Sequence, residues 1–175
     1  MTDNIELKGL GGWLILVGIG VVIGPFRLAA EFVPLYYGIF TDGSFEILTS
    51  PGSEAYHSLW GPLLIFETVF NLLMILASSY LIYLYFSKNY IFPKIYITIV
   101  LFSLVFIPAD AWLASFVLPD EPMFDPITTK EFARTLFISV VWVPYMLISK
   151  RVKSTFVENV PNNQSQGDAK NARLV

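Results

Sequence analysis

Four apolar runs, each long enough to cross a bilayer, occupy most of this 175-residue chain. They lie at Gly12–Val33, Leu59–Phe86, Pro93–Leu118 and Phe132–Ser149. A spanning helix needs about 20 predominantly apolar residues. Backbone N–H and C=O groups find no partners in lipid, so each run has to satisfy its own and become a helix. The runs therefore predict an all-α integral membrane protein, a four-transmembrane-helix antiparallel bundle. The chain is 55% hydrophobic and only 14% charged, against about 25% charged in soluble domains. Little sequence remains for a separate soluble unit, so residues 1–157 are expected to form one transmembrane domain. Residues 158–175, polar and rich in Asn and Gln from Pro161 onward, have little to bury and are expected to be a disordered cytoplasmic tail.

The first run is expected to be retained rather than cleaved. Its leader carries Asp3 and Glu6 against a single Lys8, whereas a signal peptide wants a basic start. Orientation follows from Lys and Arg near the ends of the spans. One side would hold Lys8, Lys88, Lys94, Lys150, Arg151, Lys153, Lys170 and Arg173, and the other, with the span interiors, Arg27, Lys130 and Arg134, a split of eight to three. Both termini are therefore expected in the cytoplasm.

The outer connection Pro34–Ser58 is expected to be ordered, because Tyr36, Tyr37, Phe40 and Phe45 need cover. Its Asp42-Gly43 pair suits the two-residue turn of a β-hairpin, with an ordered coil as the alternative. The second outer connection, Leu118–Thr129, holds Pro119, Pro122 and Pro126 and is expected to be stiff and extended.

Few motifs point to chemistry. Gly18, Gly20 and Gly24 lie inside an apolar run with no preceding strand, which removes a dinucleotide loop. Gly20 and Gly24 have GxxxG spacing, read as helix packing within the bundle, with a homodimer contact as the alternative. His57 is the single histidine and the chain has no cysteine, so no metal set, thiolate or nucleophile–base–oxyanion constellation emerges. No catalytic residue, cofactor or nucleic-acid site is expected, and the protein is read as non-enzymatic.

The charges inside the spans remain. Ionisable residues at membrane depth cost roughly 2.5–3.5 kcal/mol each and nearly always face protein or water. At 1.5 Å per residue, Glu67 lies about 10 Å inward of Trp60, Asp110 about 11 Å inward of Val117, Arg27 about 9 Å inward of Val33 and Arg134 about 7 Å inward of Thr129. Glu31 and Asn71 follow Arg27 and Glu67 by one turn each and share their faces. Arg27, Glu31, Glu67, Asn71, Asp110 and Arg134 are therefore expected to form one outward-facing polar cluster. It is either a set of structural ion pairs or a cavity that binds or helps transport a small solute of unidentified chemistry.

At the inner end, Trp142 and Tyr145 are expected to bracket a helix break at Pro144. Lys150, Arg151 and Lys153 are expected to anchor to the anionic leaflet, at about 1 kcal/mol per charge. The same stretch also suits docking of a cytoplasmic partner; a membrane-protein partner bound through it or through the outer loop would make the chain an accessory subunit or assembly factor of a membrane complex. Gly11-Gly12-Trp13-Leu14 and the run Trp142–Val157 (WVPYMLISKRVKSTFV) resemble the family of bacterial membrane proteins called domain of unknown function 2569, and Glu67 also fits it. The resemblance spans about residues 7–157 and implies a four-span protein of the bacterial cytoplasmic membrane. It brings no established functional residues.

Overall fold

The computed structural model describes residues 8–157; the tail expected from residue 158 lies outside the described residues. Four long helices dominate: α1 (Trp13–Thr41), α3 (Trp60–Phe86), α4 (Phe92–Ala114) and α5 (Pro126–Ile148), with short helices α2 (Ser44–Thr49) and α6 (Lys150–Thr155). All four long helices are long and apolar enough to cross a membrane, the architecture of a multi-pass membrane protein. The closest backbone packing runs from α1 to α3, α3 to α4, and α4 to α5, so neighbours alternate in direction. One end of the bundle carries the starts of α1 and α4, the ends of α3 and α5, and α6. We call it the termini end, and the opposite end the loop end.

Asp42-Gly43 does not form the hairpin turn it suits. Among the described residues there is no β-strand, only an isolated bridge between Pro51 and Ser53. α1 does not stop at Pro34 but continues to Thr41, with Pro25 and Pro34 both inside it. At 29 residues it is about 43 Å long, against a hydrocarbon core of about 30 Å, so its last turns extend past the apolar layer. Asp42-Gly43 then turns the chain into α2. Gly43 has φ of +87° and precedes the first residue of α2, so the left-handed conformation that suits Asp-Gly to a hairpin here joins two helices. The Phe40 and Phe45 rings meet across this turn at 5.0 Å.

α5 also begins earlier than its hydropathy indicates. Asp125 accepts the Thr128 N–H at 2.6 Å and Pro126 occupies the first turn, a cap followed by a residue with no N–H to lose. The backbone bond from Thr128 holds the Asp125 carboxyl below the ordinary carboxylate range. At its other end α5 passes through Pro144 without a break. The chain turns instead at Ser149, whose extended backbone ends α5 and whose hydroxyl accepts the Val152 N–H to start α6.

The main buried cluster fills the termini end. Leu14, Leu84 and Phe92 are fully buried, and Tyr85, Met146, Val152 and Phe156 nearly so. Lipid offers no hydrophobic drive for helices to associate, so close contact and interhelical hydrogen bonds have to hold them. Gly18 supplies the closest contact: a Cβ there would sit 2.6 Å from the Tyr85 hydroxyl. That hydroxyl donates to the Leu14 carbonyl at 2.7 Å. The packing glycine is thus Gly18 and not the GxxxG pair, for a Cβ on Gly20 or Gly24 would meet nothing within 4 Å.

Candidate functional site

Above this packed end, the loop half of the bundle opens into a cavity of about 720 Å³ lined by α1, α3, α4 and α5. Phe70 of α3 lies flat on Phe106 of α4, with Phe66 and Phe102 flanking them at 5.9 and 5.8 Å. One-turn spacing on both helices makes an aromatic seam that walls the cavity and holds α3 to α4. Arg27, Glu31, Glu67, Asn71 and Asp110 all line the cavity, while Arg134 does not.

The charges fall into two groups. Near the mouth, Arg27 of α1 lies 2.8 Å from Glu31 and 3.3 Å from Glu131 of α5, and Arg134 lies 2.7 Å from Glu131. Glu131 thus links both arginines. Its position one residue before the apolar run that begins at Phe132 keeps it out of any helix drawn from hydropathy alone. The early start of α5 puts it on a helix, one turn before Arg134. The Asp125-Pro126 start signal was the available clue.

The second group has no basic member. The Asn71 side-chain amide, 9% exposed, donates to the Tyr36 hydroxyl at 3.1 Å, and that hydroxyl donates to Glu67 Oε2 at 3.4 Å. Asn71 also donates to the Glu67 carbonyl at 2.9 Å, one turn back. Tyr36 reaches this position only because α1 continues past Pro34, and nothing in its local sequence marks it. Asp110, on α4, is an electrostatic neighbour of Glu67 and Tyr36. Its Oδ1 is buried without a hydrogen-bond partner among the described residues. Neither Glu67 nor Asp110 forms an ion pair there.

A buried carboxylate oxygen with no donor is unusual, because buried polar groups are nearly always paired. The cavity can therefore offer a hydrogen-bond acceptor and negative charge to a guest while its aromatic walls take apolar surface. Among the described residues no group of three or more His, Cys, Asp and Glu could hold an ion, and His57 Nδ1 accepts the Leu59 N–H.

At the termini end, the proposed anchor residues have other neighbours. Trp142 meets Trp13 at 6.3 Å and Tyr145 at 5.8 Å. Arg151 lies across Gly11 and Gly12, its guanidinium 3.0 Å from where a Gly11 Cβ would be. Phe156 turns inward and stacks on Phe92 at 4.5 Å. Lys150 and Lys153 are exposed. The two stretches that carry the family resemblance therefore pack on each other: the glycines leave room for Arg151, and α6 closes the termini end.

No curated protein and no solved structure matches the chain. A family model described as "Protein of unknown function (DUF2569)" matches residues 7–157, a region bounded by those two mutually packed stretches. The chain belongs to this family.

Proposed function

We propose that this protein is a non-enzymatic solute-binding or transport protein of the bacterial cytoplasmic membrane, both termini cytoplasmic, whose loop-end cavity takes a small molecule. The unpartnered Asp110 Oδ1 beside Glu67 carries this reading. A purely structural network would pair its charges, as the Arg27–Glu131–Arg134 group does. The cavity volume of about 720 Å³ lies within the roughly 300–1,000 Å³ range of small-molecule sites. The eight-to-three division of Lys and Arg supports the orientation.

Native mass spectrometry of the protein purified in mild detergent tests the reading. A small-molecule adduct that Asp110→Asn weakens is expected. Co-purification of a partner protein with an empty cavity favours instead an accessory subunit or assembly factor.

A further inference from the structure

Six carboxylates line the cavity (Glu31, Glu67, Asp110, Glu121, Asp125 and Glu131) against a single basic residue, Arg27. Arg27 is engaged by Glu31 and Glu131. The deeper part therefore presents Glu67 and Asp110 with no positive charge of its own, beside the stacked Phe70 and Phe106 rings. Carboxylates attract a cation, and aromatic faces stabilise one that also carries apolar surface.

α1 and α5 are joined at two places with open space between them. Trp13, Gly20, Gly24, Arg27 and Glu31 recur at helical spacing on one face of α1. Both ends of that face reach α5, through Trp13–Trp142 and Arg27–Glu131. Between these two pins a Cβ on Gly20 or Gly24 would meet nothing within 4 Å, and α1 and α5 do not share the close backbone packing of the other neighbours. The glycines therefore border open space at the level of the apolar spans, within two turns of Arg27 and Leu28, where the α1 lining of the cavity begins, and Ile138 lines it from α5.

We propose that the cavity takes amphipathic organic cations and that they enter sideways from the bilayer, between α1 and α5. This rests on the solute-binding reading above and names its ligand class and route. A lipid chain would match the apolar walls but leave Glu67 and Asp110 without a counter-charge. A cation dissolved in the membrane answers both features.

The full-length protein in lipid nanodiscs, titrated with tetraphenylphosphonium and with its isosteric anion tetraphenylborate, tests the assignment. Saturable binding of the phosphonium is expected, with no competition from the borate. Asp110→Asn should weaken it by about tenfold or more, the scale of losing one charge-assisted contact. The comparison of the two ions on the unmutated chain stands even if that variant does not fold. Equal binding of both ions overturns the cation class while leaving solute binding in place. Saturable binding of neither overturns the assignment, and the adduct in the native mass spectrum then decides the solute reading separately. For the route, Gly24→Phe, whose Cβ would meet nothing within 4 Å, places a ring in this open space and should slow phosphonium association several-fold with little change in equilibrium affinity. An unchanged association rate overturns lateral entry.

Discussion

The Thr155 hydroxyl accepts the Gly9 N–H at 3.0 Å and donates to the Gly9 carbonyl at 3.1 Å, clasping the segment before α1 to the last residue of α6. Thr155 is fully buried, so water does not replace these bonds when they are lost. Thr155→Val, which keeps the shape and removes the hydroxyl, should destabilise the bundle by about 1–3 kcal/mol, the cost of stranding buried polar groups. Thr155→Ser should retain most of the stability. Unfolding in mixed detergent micelles reads both, and equal stability of the two variants would remove the clasp from the account.

Two nearby glycines should behave oppositely. A Cβ on Gly18 would fall 2.6–2.9 Å from three atoms of the Tyr85 side chain, which is itself fixed by its bond to Leu14. Gly18→Ala should therefore cost about 1–3 kcal/mol, as overpacking does. Gly20→Ala meets no neighbour and should be neutral or stabilising by up to about 1 kcal/mol through helix propensity. The same unfolding assay compares them; the reverse ranking would mean that α1 packs by its other face.

The charge network should show selective coupling. Arg27 and Glu131 are 37% and 22% exposed, so a double-mutant cycle should return a modest coupling of about 0.2–1 kcal/mol. A cycle between Arg27 and Glu67 should be additive to within about 0.3–0.5 kcal/mol. Strong coupling of Arg27 to Glu67 would instead place both charge groups in one paired network.

The span count and helical class were legible because run length alone sets them. The boundaries were not, for two local reasons. Pro34 reads as a stop, yet α1 passes through it as it passes through Pro25. The same polar residues that look like loop at Asp125–Glu131 form the capped first turns of α5. Both errors hid site residues, Tyr36 in one case and Glu131 in the other. That Arg27, Glu31, Glu67, Asn71 and Asp110 would face one space followed from depth and one-turn spacing. Which acid would meet which arginine depended on helix rotation and on the true start of α5, which apolar periodicity does not fix.

The orientation is open to direct labelling, since the chain has no native cysteine. Glu54→Cys, exposed at the loop end, and Val157→Cys, exposed at the termini end, should react with a membrane-impermeant reagent from outside the cell and from the cytoplasm respectively. The reverse pattern would contradict cytoplasmic termini.

The cavity's access to polar solutes is tested most directly at Ser103, which lines it one face-repeat from Asp110. A Ser103→Cys protein in sealed, oriented vesicles would be exposed at its loop side to a trimethylammonium-bearing thiosulfonate and, separately, to a sulfonate-bearing one. The account predicts modification by the cation, faster than by the anion, and slowed when Asp110→Asn is added. No modification by either reagent, under conditions in which Glu54→Cys is fully labelled, would show a closed and dry interior and contradict the account.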